Sequence, residues 1–281
     1  MKLPAVVLIL LLISGCQSPV PDSPSAPGAL PVYSLHARSQ STRIKMVILH
    51  YTAEDNARSL QILTQGPVSA HYLITSPTPK TPPRIYQLVA ESQAAWHAGI
   101  SGWQGQISLN SVSIGIELVN PGYHREGTVS QCSSFAPAQI HALEQLLQQL
   151  VARYQLSPQQ ILGHSDISPG RKQDPGPCFP WQALAKAGFG AWPDPVRVHA
   201  ALGGRSPWQA SDPQVLGHLL RRFGYPLPVG AGSEQQQAVF RAFQMHFRPA
   251  LISGRADAGS EAIAKALVEQ YRPAELGADS L

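Results

Sequence analysis

Residues 111–120 read SVSIGIELVN, and this stretch decides the fold class. Its three large aliphatic residues occupy alternate positions and therefore share one face of a strand, while Glu117 lies on the opposite face with Gly115. The alternation predicts a β-strand over residues 112–119. A carboxyl group among so many apolar neighbours also marks Glu117 as a candidate for chemistry.

Similar short runs surround this strand, and each is bounded by Pro, Gly, Ser or Asn. They predict further strands at residues 44–51, 71–75 and 84–89. Apolar residues at helical spacing predict helices at residues 56–65 and 137–154, with Pro137 in the first turn of the second. Strands that alternate with helices predict an α/β fold, a sheet with interleaved helices that ends near residue 190.

A second, smaller unit follows an irregular stretch that we interpret as a linker, residues 191–206. Residues 207–281 carry three short amphipathic patterns, which predict a small three-helix domain. Its helices are expected to start at Asp212 with Pro213, at a capping box formed by Ser233 and Gln236, and at Ser260.

The N-terminus has the layout of a secretory signal. Lys2 is followed by nine apolar residues at 5–13, too few to cross a bilayer, and then by Ser-Gly-Cys ending at Cys16. We predict a signal peptide over residues 1–15. Residues 16–39 are expected to form a Pro-rich tether, because their composition cannot build a core.

The composition argues against a disordered protein and against nucleic-acid binding. Hydrophobic residues make up 43% of the 281 residues and charged residues only 14%, so a folded protein is expected. The net charge of +4 is small and no block of like charges occurs, so nucleic acid is not an expected partner. Cys132 and Cys178 remain as a pair in an exported chain, which is compatible with a disulfide and also with two free thiols.

Two histidines and an aspartate have the chemistry of a metal-binding set. His50 ends an apolar strand, and His164 begins a segment rich in Gly and Pro that also contains Asp174. Two imidazoles and one carboxylate are the ligands of an open zinc site, whose fourth position holds water. The separations between these three residues along the chain match no short ligand motif. A buried structural role in the core is the simpler alternative for His50. Cys178 could replace one of the ligands, since a thiolate also binds zinc.

Glu117 has two interpretations. If its face of the strand is buried, desolvation raises its pKa toward the value that a general base needs. If the strand lies at a sheet edge, the same side chain points into water and has no catalytic role.

Five segments together resemble a known family: HYTA at 50–53, VSAHYLI at 68–74, WHAG at 96–99, SIGIELVN at 113–120 and GHSDISPGRKQDPGPCFPW at 163–181. They are similar to the zinc-dependent N-acetylmuramoyl-L-alanine amidases of the Amidase_2 family, over about residues 40–190. The resemblance implies a mixed central sheet flanked by helices. The C-terminal helices resemble, more weakly, a peptidoglycan-binding three-helix domain.

The resemblance also assigns roles to individual residues. It implies that one zinc ion is bound by His50, His164 and Asp174, that Glu117 is the general base, and that Lys172 stabilises the tetrahedral intermediate. Substrate-binding roles are expected for His71, Trp96, His97 and Asn110.

The implied activity is hydrolysis of the amide bond between N-acetylmuramic acid and L-alanine in peptidoglycan. The alternatives are a non-catalytic peptidoglycan-binding lipoprotein and a zinc peptidase that cuts within the stem peptide. The segment ISGC at 13–16 resembles a bacterial lipobox, which implies lipidation of Cys16. Gln17 after that cysteine then favours the periplasmic face of the outer membrane, and a monomer is expected.

Overall fold

The computed structural model describes residues 33–126 and 129–273. The predicted signal peptide, Cys16 and most of the tether lie outside the described residues. The chain divides into two compact units, residues 1–41 and 42–281. In the described part of the first unit, residues 33–41, the backbone is mostly irregular. All helices and strands named below belong to the second unit.

The strands of the second unit are β1 Met46–Tyr51, β2 Tyr72–Ile74, β3 Ile85–Gln87, β4 Gly102–Trp103, β5 Gln106–Ile107, β6 Ser113–Leu118, β7 Tyr123–Glu126, β8 Val129–Cys132 and β9 Ile161–Gly163. Its α-helices are α1 Asn56–Gln65, α2 Pro137–Tyr154, α3 His164–Ile167, α4 Trp181–Lys186, α5 Pro195–Leu202, α6 Pro213–Phe223, α7 Ser233–Phe247 and α8 Ala258–Tyr271. Short 3-10 helices occur at Leu109–Ser111 and Pro158–Gln160.

Five strands form the central sheet in the order β3-β2-β6-β1-β9. The pairs β2–β6, β6–β1 and β1–β9 are parallel, and β3 is antiparallel to β2. The predicted mixed sheet is therefore confirmed, and so are the predicted bounds of α1 and α2. Pro137 occupies the start of α2, where its missing N–H costs no hydrogen bond.

Helices cover both faces of the sheet, as parallel sheets require. Val47 and Leu49 belong to a buried cluster with Leu143 of α2. Ile48, whose side chain points to the opposite face, belongs to a cluster that includes Phe240 of α7. The C-terminal helices therefore share their core with the sheet, while the domain boundaries predicted from the sequence stay a prediction.

Three local predictions in the C-terminal part were wrong. The predicted linker contains α5, because Asp194 caps it and accepts a hydrogen bond from the backbone N–H of Val196. Helix α7 has Gly232 as its N-cap, so no Ser233 capping box forms. Helix α8 begins after Asp257, whose carboxylate accepts from the Ser260 N–H.

No helix among the described residues is both long and apolar enough to span a bilayer.

Candidate metal centre and active site

Three chemically important side chains meet at one edge of the sheet. His50 lies near the end of β1, directly opposite Glu117 in the parallel register with β6. His164 follows β9 immediately. Because these strands are parallel, their carboxyl ends lie at the same edge, which is where α/β proteins place their ligand sites.

Asp174 joins this group through a folded loop. The backbone N–H of Ser165 donates to the Asp174 carbonyl oxygen at 2.9 Å, which brings the loop back beside His164. The Asp174–Pro175 peptide bond is cis. The nine residues between His164 and Asp174 therefore form a compact loop that returns to the site.

The donor atoms of His50, His164 and Asp174 converge. The Asp174 Oδ2 atom lies 2.8 Å from His50 Nδ1 and 3.0 Å from His164 Nδ1, and the two Nδ1 atoms are 3.0 Å apart. All three side chains are buried. Two imidazole nitrogens and a carboxylate oxygen pointing at one place fit a divalent metal ion with a position left open.

The alternative ligand, Cys178, is not available. Its sulfur forms a disulfide with Cys132, with the two Cα atoms 5.9 Å apart. The disulfide links the end of β8 to the segment that follows Asp174. A disulfide sulfur lacks the thiolate that binds zinc, so the aspartate completes the donor set.

The electrostatics of the cluster favour the metal-binding protonation states. Burial, and then the neighbouring His164, lower the pKa of His50 to about 4, so its imidazole is neutral at neutral pH. Burial on its own raises the pKa of Asp174, but hydrogen bonds and charge from His164 and His50 outweigh it and hold that pKa below its ordinary value. A neutral imidazole and an ionised carboxylate are the forms that coordinate metals.

Glu117 lies on an interior strand and not on an edge, since β6 is paired on both sides. Its Oε2 atom is buried and has no hydrogen-bond partner in the described structure. Burial, followed by repulsion from Asp174, raises the pKa of Glu117 to about 8, whereas Lys172 opposes the rise. An unpartnered, readily protonated carboxyl group beside a metal site has the properties of a general base.

A cleft of about 360 Å³ opens over the cluster. Of the remaining residues predicted from the sequence, Lys172, Trp96 and His97 line it. The indole of Trp96 is 62% exposed at the rim. His71 and Asn110 are not among the lining residues, and the imidazole of His71 is buried between the Gly115 N–H and the Gln93 carbonyl.

Sequence reasoning did not single out several other residues that line the cleft, among them Tyr51, Val68 and Arg171. Arg171 donates to the carbonyl oxygens of Ala98 and Ile100 at 2.7 and 2.9 Å, and so connects two of the loops around the cleft. Its place next to Lys172 in a loop dense in Gly and Pro was an available signal. Val68 carries no comparable signal, because an isolated valine is ordinary in any sequence.

Comparison with known proteins gives consistent matches. The sequence profile of the family described as N-acetylmuramoyl-L-alanine amidase matches residues 40–177. The chain is 48% identical to N-acetylmuramoyl-L-alanine amidase AmiD of Escherichia coli over 245 residues, which cover 85% of this chain and 89% of the relative.

Solved structures agree with the sequence matches. A structure of E. coli AmiD in complex with the substrate anhydro-N-acetylmuramic acid-L-Ala-D-gamma-Glu-L-Lys superimposes with a TM-score of 0.82 at 46% identity, covering 88% of this chain and 97% of that one. Pseudomonas aeruginosa AmpDh3 in complex with anhydromuramic pentapeptide gives a TM-score of 0.79 at 39% identity, covering 85% and 96%.

Proposed function

Because the chain belongs to the N-acetylmuramoyl-L-alanine amidase family, we propose that it hydrolyses the amide bond between N-acetylmuramic acid and L-alanine with one zinc ion held by His50, His164 and Asp174. The observation that carries the proposal is the convergence of these three donors beside a buried, unpartnered Glu117 oxygen. A site with this composition would hold a metal ion and offers a proton acceptor for the attack of water on an amide.

A zinc ion held by His50, His164 and Asp174 would make water a stronger acid and would polarise a carbonyl group. Glu117 Oε2 accepts the proton of the attacking water and later returns it to the amine of the departing L-alanine. The Lys172 ammonium group stabilises the negative charge that develops on the carbonyl oxygen. Each of these side chains lines the same cleft, so both proton transfers occur within one site.

The substrate of this cleft is peptidoglycan or a muropeptide released from it. Trp96 offers an exposed aromatic face at the rim, suited to packing against a sugar ring. Two hydrogen bonds fix this rim, one from the Trp96 N–H to Ser69 Oγ at 2.9 Å and one from the Ser69 N–H to the Trp96 carbonyl at 3.2 Å. The ring is therefore presented by an ordered backbone.

The location that best suits this substrate is the periplasmic face of the outer membrane. Lipidation at Cys16 would anchor the chain there after removal of residues 1–15, and the Pro-rich segment would let a monomer reach the wall. Metabolic labelling with a radioactive fatty acid, with Cys16→Ala as the control, tests the anchor.

The decisive experiment for the activity is digestion of purified sacculi by the zinc-loaded chain, followed by mass spectrometry of the soluble products. Free stem peptides that begin with L-alanine are expected. Chelation should abolish their release and added zinc should restore it, and His50→Ala should not be restored. Products cut inside the stem would indicate a peptidase, and binding without release would indicate a non-catalytic protein.

A further inference from the structure

The outer nitrogens of the His50 and His164 imidazoles, which face away from the other donor atoms, contact two consecutive residues. The Nε2 atom of His50 lies 3.1 Å from Nδ1 of His97. The Nε2 atom of His164 lies 3.1 Å from the carbonyl oxygen of Ala98. The nitrogens that do not face the cluster thus both meet the segment His97-Ala98, although the ligands themselves are 114 residues apart.

Metal binding sets the direction of these hydrogen bonds. An imidazole nitrogen that binds a metal uses its lone pair, so the other nitrogen carries the proton. His50 then donates from Nε2 to Nδ1 of His97. His97 consequently carries its own proton on Nε2 and donates it to Ser113 Oγ at 3.2 Å. The Ser113 hydroxyl donates in turn to the Leu109 carbonyl oxygen at 2.7 Å, so the chain of hydrogen bonds ends on the backbone.

The segment that receives the imidazoles is itself fixed by one side chain. Asn110 Oδ1 accepts hydrogen bonds from the backbone N–H groups of both His97 and Ala98, at 3.1 and 2.8 Å. The ring of His97 lies over Gly115 of β6, where a Cβ atom would come within 2.4 Å of His97 Cγ. A side chain at that position would displace the ring, so glycine is required there.

We propose that His97 and Asn110 are positioning residues that orient both imidazole ligands, and not residues that bind substrate. This inference rests on the proposed zinc site. His97 is only 8% exposed, and Asn110 does not line the cleft. Outer partners of metal-bound histidines hold the ring orientation, and their loss typically lowers metal affinity about 10- to 100-fold.

The test measures zinc affinity of the full chain by competition with a chromophoric chelator. His97→Phe keeps the ring but removes the acceptor for His50, and Asn110→Ala frees the backbone of the segment. Both should weaken zinc binding about 10- to 100-fold. The conservative variants His97→Asn and Asn110→Asp retain an acceptor oxygen and should recover most of the affinity.

A matched control is Gln244→Leu. Gln244 is fully buried, accepts from the Gly254 N–H at 2.7 Å and donates to the Arg255 carbonyl at 3.0 Å, so its loss also removes buried hydrogen bonds. It lies outside the cluster and should leave zinc affinity unchanged. The visible spectrum of the cobalt-substituted chain supplies a second measurement, because a rotated imidazole changes the ligand field in the His97→Phe variant but not in the control.

The outcomes are distinct. A wild-type chain that binds no zinc would overturn the proposed function itself. A zinc-binding wild type with unchanged affinity in His97→Phe and Asn110→Ala, or a raised KM with unchanged affinity, would overturn the positioning role. An equal loss in Gln244→Leu would also overturn it, since the effect would then be general destabilisation. If neither main variant folds, Ser113→Ala decides: weaker zinc binding supports the relay, and wild-type affinity refutes it.

Discussion

Replacing Glu117 with glutamine should abolish most of the activity and yet stabilise the metal-free protein. The substitution keeps the volume of the side chain but removes the carboxylate that we propose accepts the proton of the attacking water. General acid–base catalysis contributes about 10²- to 10⁴-fold, so kcat should fall by that factor while zinc stays bound. Zinc content measured on the same preparation separates loss of chemistry from loss of metal.

The expected gain in stability follows from the burial of the carboxyl group. Its pKa is raised from 4.5 to about 8, and a pKa difference is worth about 1.4 kcal/mol for each unit. Ionised Glu117 therefore destabilises the folded, metal-free chain by an energy on the order of 3–5 kcal/mol. Glutamine carries no charge at any pH and avoids this cost.

The raised pKa of Glu117 fixes the direction in which the free energy of unfolding changes with pH. Between pH 4.5 and about pH 8, the folded state of the wild type retains a proton that the unfolded state has lost. The free energy of unfolding of the wild type therefore falls with rising pH in this window because of Glu117. Glu117→Gln lacks this contribution, so its advantage over the wild type should be near zero at the acid end and largest above about pH 8.

Guanidinium unfolding of both metal-free proteins at the two ends of this window measures the effect. Glu144→Gln is the matched control, because Glu144 is also half-buried but lies on α2 outside the cleft. A Glu117→Gln variant with normal kcat would refute the role of proton acceptor. A stability difference that does not grow with pH would refute the argument from burial.

Three further outcomes are expected. Lys172→Ala should lower kcat by about 10²- to 10³-fold with zinc content unchanged, as loss of one electrostatic donor does; near-normal turnover would exclude that role. Reducing the Cys132–Cys178 disulfide, which closes a loop of 46 residues, should lower the free energy of unfolding in denaturant by about 2–4 kcal/mol; an unchanged midpoint would contradict this. Trp96→Ala should raise KM for a muropeptide with little change in kcat, because the proposed stacking on substrate is the same before and during the reaction; a change confined to kcat would argue against stacking.

Local patterns in the sequence were sufficient for four of the five strands of the central sheet and for its principal helices. The alternation around Glu117 and the helical spacing after Pro137 describe interactions between near neighbours in the chain, and both elements occur where they were predicted. Local patterns did not identify every helix cap. Asp257 and Ser260 are both good capping residues three positions apart, so only packing decides which of them begins α8.

Local patterns do not predict that the three candidate metal ligands come together. The chemistry of His50, His164 and Asp174 is legible from residue types, and resemblance to a family assigns their roles. Their convergence depends on parallel pairing of β1 with β9 and on the return of the loop to Ser165, which are contacts distant in sequence. No local pattern specifies which distant strands pair.

The sequence by itself determined four strands and the main helices, because these depend on residue type and short-range periodicity. The ligand roles of His50, His164 and Asp174 and the role of Glu117 came from resemblance to a family. Only the tertiary structure decided that the Glu117 strand is interior and that the C-terminal helices complete the core on the second face of the sheet. Only the tertiary structure brought His97 into contact with the outer nitrogen of His50, and Asn110 into contact with the backbone of His97. The physical reason is that burial and hydrogen-bond partners are properties of neighbours in space, and those neighbours come from segments far apart along the chain.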